Sequence, residues 1–211
     1  MGAAGVTVTF AISRLQETDR QAMARDQSKP TGDHQKISAS APSYQQSAPE
    51  GLPACGDFDI RIARDGTWHY RGSPIGRKSL VKLFSTVIRR DEQGDYWLVT
   101  PVERGRILVE DAPFTAVECE AAGAGRDQVL RFRSNVDDWI EAGADHPIRV
   151  VEDPVTGEPS PYILVRDNLE ALIVRPVFYR LVEWAVEHRQ DGTDYLGLWS
   201  KGEFFPLGRL P

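Results

Sequence analysis

The sequence predicts an α+β fold of two similar halves, each a hairpin-helix-strand unit with mainly antiparallel sheet, and three observations carry that reading. The first is internal repetition, because Ile163 to Leu207 repeats the plan of Phe58 to Val102. Arg166-Asp167-Asn168 answers Arg64-Asp65-Gly66 as a tight turn between apolar stretches, and Asp194 to Trp199 answers Asp95 to Val99. Such self-similarity marks one supersecondary unit used twice. The second is turn chemistry: Asp65-Gly66 and Lys201-Gly202 stand between runs of strand-forming residues. The third is a pair of apolar runs with helical period, each opened by proline. Pro74-Ile75 leads into Leu80 to Phe84, and Pro176 leads into Val177 to Val182.

Residues 1–54 are expected to form a disordered or loosely ordered tail. They hold six glutamines and only two aromatic residues, Phe10 and Tyr44, while all five tryptophans lie downstream. Such a segment buries too little apolar surface to offset the entropy lost on ordering. The first half is expected over residues 55–122. Asp57 to Tyr70 reads as a β-hairpin closed by a two-residue type I′ turn at Asp65-Gly66. That turn sets Ala63 opposite Trp68 and Ile62 opposite His69, so Phe58, Ile60, Ile62 and His69 share one face, and Asp57, Asp59, Arg61, Trp68 and Tyr70 the other. A helix follows from Arg77 to Arg90, with Leu80, Phe84, Val87 and Ile88 on one side. Strands are expected at Tyr96–Thr100, Arg106–Val109, Thr115–Glu120 and Gln128–Arg133. Cys119, on a face with Val117, reads as a small buried hydrophobe.

The second half is expected over residues 123–211. A polar connection from Asn135 to Pro147 leads to a strand at Ile148 and a turn through Asp153 to Gly157. Strands at Tyr162–Val165 and Leu169–Val174 flank the Asp167-Asn168 turn. A second helix runs from Pro176 to His188, where His188 would sit favourably at the helix carboxyl end. Strands at Tyr195–Trp199 and Phe204–Pro206 close the chain.

Composition narrows the function. The chain has a net charge of -6, with 41% apolar and 27% charged residues, as an ordinary soluble protein has. Five basic and five acidic side chains in residues 1–54 cancel, so the acidic balance belongs to the remainder. General nucleic-acid binding is therefore not expected, since it needs a basic surface. Ala3 to Ile12 lacks the basic flank of a signal peptide and the length of a membrane span, so a cytoplasmic protein without membrane attachment is expected. Cys55 and Cys119 form no C-x-x-C, and no histidine stands at a metal-ligand spacing, so neither metal nor cofactor is expected.

Several runs resemble a known family. Cys-Gly-Asp-Phe-Asp-Ile-Arg-Ile (55–62), Arg-Asp-Gly-Thr-Trp (64–68), Pro-Ile-Gly-Arg-Lys (74–78), Leu-Phe-Ser-Thr-Val (83–87), Trp-Leu-Val-Thr-Pro-Val-Glu (97–103), Val-Glu-Asp-Ala-Pro-Phe (109–114) and Phe-Phe-Pro-Leu (204–207) occur in order. Over about residues 55–208 the chain thus resembles the bacterial proteins grouped as domain of unknown function 1285. The resemblance implies a two-part fold with repeated motifs and a suggested role in signal transduction. It brings no catalytic residues.

Three groups of residues invite a functional reading. Gly72 to Ser79 ends in the Lys-Ser of a phosphate-binding loop, but Arg77 stands where the second glycine belongs and Pro74 removes a backbone donor. What remains is Arg77 and Lys78 at the positive end of a helix, an arrangement that a bound anion would relieve. Arg131, Arg133 and Asn135, near the junction of the halves, could line a cleft. Asp57, Asp59 and His69 could serve an enzyme as carboxylates and base. The sequence thus reads as a non-enzymatic protein whose halves enclose a cleft for a small anionic ligand or a protein partner. The alternative is a small hydrolase or transferase using Asp57, Asp59 and His69.

Overall fold

The computed structural model describes residues 54–211, with side chains from Gly56 onward; the expected tail lies outside them except for Ala54. The first elements are β1 (Ala54–Ile62), β2 (Trp68–Tyr70), β3 (Ser73–Pro74), α1 (Lys78–Thr86), β4 (Ile88–Arg90), β5 (Tyr96–Val99) and β6 (Arg104–Val109). Next come β7 (Phe114–Ala122), a 3-10 turn at Gly125–Asp127, β8 (Val129–Ser134), β9 (Trp139–Glu141), β10 (Ile148–Glu152), β11 (Pro159–Arg166) and β12 (Leu169–Ile173). The chain closes with α2 (Arg175–Trp184), β13 (Val186–Gln190), β14 (Thr193–Ser200) and β15 (Glu203–Arg209). One sheet has the order β3-β2-β1-β6-β5-β4, a second β10-β11-β12-β7-β8-β9, and a third β13-β14-β15.

This is an α+β architecture. The sheets are mixed rather than purely antiparallel, because β12 runs parallel to β7. The chain forms two compact units, of which one comprises Asp57–Leu98 and Arg106–Pro211. In the other, Thr100 closes a tight turn by accepting the Glu103 amide on its hydroxyl at 3.1 Å.

The repeat is one of element order. A hairpin, a helix and a three-strand meander occur as β1-β2, α1, β4-β5-β6 and again as β11-β12, α2, β13-β14-β15. Pairing differs between the two. In the first copy β6 pairs with β1 and fuses meander and hairpin into one sheet; in the second the meander stands as its own sheet and β12 pairs with β7.

The β1-β2 hairpin departs from expectation by one residue. Ile62 faces Trp68 and Arg61 faces His69. The loop has three residues, because the Gly66 amide donates to Ala63 O while Ala63 and Thr67 close the ladder. Only Gly66 of the pair adopts positive φ, at 85°. Asp65 instead accepts the Thr67 amide at 2.8 Å, and its carboxyl is held below the usual range by hydrogen bonds from Thr67. A one-residue slip exchanges faces. Trp68 therefore joins Ile60 and Ile62 in the core and stacks near Phe84 of α1, with ring centroids 6.4 Å apart.

Both helices end earlier than their apolar periodicity suggests. Ile88 and Val186 are β-branched, prefer extended backbone and open β4 and β13. His188 therefore stands on a strand and caps no helix. Leu83 is exposed, leaving Phe84 and Ser85 as the buried residues of α1. A bulge between Ala116 and Glu118 also breaks the alternation of β7, so Val117 faces solvent while Cys119 is buried. Burial pushes the Cys119 thiol up to about 11.

Candidate functional site

The second sheet has two chemically different faces. Ile148, Ile163, Ala171, Phe114 and Phe132 line one and are buried, as are Val177 and Leu181 of α2, which packs against β7. Residues directly opposite across a ladder share a face. Arg149 opposes Tyr162, Tyr162 opposes Leu172, and Leu172 opposes Thr115; further along, Glu118 opposes Arg133 and Glu120 opposes Arg131. This second face is polar, and residues of the first half dock on it through hydrogen bonds and ion pairs.

The densest part of that seam lies over β10, β11 and β12. Asp111 is only 17% exposed and uses both carboxylate oxygens. Oδ1 accepts the Tyr162 hydroxyl at 2.8 Å, and Oδ2 pairs with Arg64 Nε at 3.1 Å. Arg64 Nη2 donates across the seam to Ser160 Oγ at 3.2 Å, and its backbone amide donates to Glu110 at 3.0 Å. Arg149 grips Glu170 through two hydrogen bonds of 2.5 Å and lies 4.5 Å from the Tyr162 ring centroid. Such two-pronged pairs fix a guanidinium in one orientation.

The electrostatics follow from burial and charge. Burial first, then Asp111, push the Tyr162 hydroxyl above its ordinary value. Burial likewise raises Tyr96, which feels the charges of Arg90, Glu170, Asp111 and Arg149. The Glu170 hydrogen bonds raise Arg149. Arg64 nevertheless keeps 63% of its side chain in solvent and Arg149 keeps 51%.

Two further points fasten the seam. Arg166 donates to Ser85 O near the carboxyl end of α1, and Asn168 Nδ2 donates to Arg90 O at 3.2 Å. Desolvation holds the Arg166 guanidinium below its ordinary value. Asn135 accepts the Thr115 amide at 3.2 Å and donates to Gly66 O at 3.1 Å, which pins the β1-β2 turn to β7.

The residues singled out in the sequence fall into three places. Arg77 precedes α1 with extended backbone, and Lys78 opens the helix. Lys78 Nζ lies 2.7 Å from Asp137 Oδ1, and Arg133 Nη1 lies 3.1 Å from the same oxygen. The anion at that helix start is thus supplied by the chain itself, and Lys78 holds the Asp137 carboxyl below its usual range. Arg133 also binds Glu118 at 2.6 Å, whereas Arg131 lies between Glu120 and Glu141 and over the Trp139 ring. Asn135 acts as the clamp just described.

Asp57, Asp59 and His69 are not brought to one point. Asp57 pairs with Arg106 at 3.2 Å and Asp59 with Arg71 at 3.8 Å. A positive φ of 52° at Asp59 breaks the strand alternation that placed the two carboxylates together. His69 stands opposite Arg61 with its Nδ1 buried. Among the described residues no group of three or more histidine, cysteine, aspartate or glutamate side chains could hold a metal ion. None of the described helices is long and apolar enough to cross a membrane.

Sequence reasoning missed Arg64, Asp111, Arg149, Ser160, Tyr162 and Glu170. They come from separate strands and turns and form no local motif. The one signal available was the placement of Arg64 in the repeated turn triplet.

The seam coincides with a boundary found by comparison. The model of the N-terminal domain of unknown function DUF1285 matches residues 48–112, and that of the DUF1285 C-terminal domain, of unknown function, matches residues 113–207. Among solved structures, a DUF1285 family protein from Silicibacter pomeroyi DSS-3 is 50% identical with a TM-score of 0.69, covering 79% of this chain and 91% of that chain. A DUF1285 family protein from Shewanella baltica OS155 is 24% identical with a TM-score of 0.47, covering 59% of this chain and 91% of that chain. No curated protein matches the sequence.

Proposed function

The chain belongs to the DUF1285 family, and we propose that it is a non-enzymatic binding protein that takes a small anionic ligand at the seam between its two family domains, in a signal-transduction role. One observation carries the reading: Arg64 and Arg149 are fixed in orientation by Asp111, Ser160 and Glu170 while half or more of each side chain remains in solvent. A pre-oriented guanidinium loses little freedom when it binds a phosphate or carboxylate. Tyr162 between them supplies an aromatic face, and seams between domains are where small-molecule sites form. Against the hydrolase or transferase reading, Asp57 and Asp59 are engaged by different arginines.

The test is thermal unfolding with inorganic phosphate, nucleotides and dicarboxylates. A ligand at about 100 times its dissociation constant adds roughly 2.7 kcal/mol. Arg64→Gln with Arg149→Gln should remove the shift, whereas Lys78→Gln with Arg133→Gln should retain it. A shift retained by the first pair and lost in the second would return the site to the start of α1. No shift with any compound, or one that follows ionic strength alone, would refute the reading.

A further inference from the structure

We propose that the chain associates with a second copy of itself by antiparallel pairing of β13 with β13 about a twofold axis at His188. Edge strands present unpaired backbone N–H and C=O groups, and proteins blunt them with charge. The third sheet has β13 and β15 at its edges. β15 packs against β10, whereas β14 is the sole strand partner of β13 among the described residues. All of β13 except His188 is exposed.

The charges on this edge have an order that selects one partner and one register. Set antiparallel to itself about His188, Val186-Glu187-His188-Arg189-Gln190 places Glu187 opposite Arg189 twice and His188 opposite His188. Unlike charges directly opposed stabilise a strand pair, and like charges oppose it. Moving the axis to Arg189 would set arginine against arginine and Glu187 against Asp191; moving it to Glu187 would set glutamate against glutamate. A one-residue slip would exchange the faces. Parallel pairing in register would oppose like charges at both positions. Within one copy, Glu187 has no ion-pair partner among the described residues, and Arg189 is held by Asp194 at 3.8 Å.

The outer face of the third sheet agrees with this pairing. Opposed residues share a face, so the two His188 rings would stand together beside the axis. His188 already packs on Trp199 and Phe204, with centroids at 5.0 and 4.6 Å. The Phe204 ring fills the space that a Cβ at Gly197 would need, 2.4 Å from its Cζ. Pairing through β13 joins two such aromatic patches into one and sets Val186, 46% exposed alone, opposite Gln190 of the second copy. The interface is self-complementary, as twofold symmetry requires. It involves none of the seam residues and stands independently of the ligand reading.

The experiment is sedimentation equilibrium of the full chain from about 1 μM to about 0.5 mM, a span that resolves dissociation constants up to about 1 mM. The mass should rise from that of one 23.6 kDa chain to twice that value. Glu187→Arg and Arg189→Glu, each made alone, should weaken self-association about tenfold or more. An equimolar mixture of the two variants should form a heterodimer, because each then presents the other's complement. Circular dichroism and thermal unfolding confirm that both variants are folded, as expected for exposed positions. A wild-type mass that stays at one chain across the range overturns the proposal. So does association unaffected by either variant, or single variants that fail to recover on mixing.

Discussion

Replacing Gly66 by alanine tests whether the seam holds the β1-β2 turn as described. Two costs add at this position. The backbone φ of 85° lies where an L side chain is disfavoured by about 1–2 kcal/mol. The new Cβ would also meet Asn135 Nδ2 and Thr115 Oγ1, both at 2.8 Å, and Thr115 Cγ2 at 3.1 Å. Thr115 is fully buried on a central strand and cannot withdraw. Asn135 can move only by giving up its hydrogen bonds to Gly66 O and the Thr115 amide, about 0.5–1.5 kcal/mol each. The sum is about 2–5 kcal/mol, a large share of the ~5–15 kcal/mol typical of a domain. Urea unfolding should show a lower midpoint at unchanged slope. Gly202→Ala is the control, because its φ of 81° is similar while nothing lies within 4 Å of its Cβ position. It should lose only the conformational part. Equal losses in the two variants, or a Gly66→Ala loss below about 1 kcal/mol, would refute a turn pressed against β7.

Three further outcomes follow from the same geometry. Asp65, Asp91, Asp137, Glu141 and Asp153 all have carboxyls held below their ordinary values by hydrogen bonds. Their stabilisation is complete above the unfolded value and is lost as pH falls through the folded one, so unfolding free energy should decline below about pH 4. That decline should be shallower in Asp137→Asn when urea titrations are compared across pH. Cys119, buried and with its thiol raised to about 11, should resist alkylation at pH 8 in a Cys55→Ser variant until the chain unfolds; labelling of the folded chain at the rate of a free thiol would contradict its burial. Asp111→Asn removes the acid that competes for Arg64 and should enlarge any anion-induced thermal shift while lowering the unliganded melting temperature; a smaller shift would place the anion elsewhere.

The elements were legible because their signals are local. Apolar alternation and Gly-containing turns mark β11, β14 and β15, and Pro176 marks the start of α2. Three errors have one physical origin, a single residue in an unusual backbone state. A three-residue loop in place of a two-residue loop at Arg64-Asp65-Gly66 moved Trp68 from the polar face to the core. Positive φ at Asp59 separated it from Asp57, and the bulge at Val117 put Cys119 on the opposite face from its neighbour. Residue periods are indifferent to such insertions, because one extra residue inverts everything beyond it.

At the helix start the partner of a cation is distant in sequence. The carboxylate that answers Lys78 is Asp137, far away in sequence and with its own positive φ of 64° beside β8. The whole polar face of the second sheet repeats that pattern: Lys78 meets Asp137, Arg64 meets Asp111 and Ser160, and Arg149 meets Glu170. Each pair is ordinary in isolation, and exposed pairs of this kind contribute little one by one. Their alignment on one face depends on strand order, with β7 between β12 and β8, which is a property of the pairing and of no local stretch. A polar seam of this kind binds its halves through directional contacts. An anion at Arg64 would compete with Asp111 inside the N-terminal family domain and with Ser160 across the seam, so by linkage ligand affinity and seam strength would change together through the Arg64–Ser160 contact.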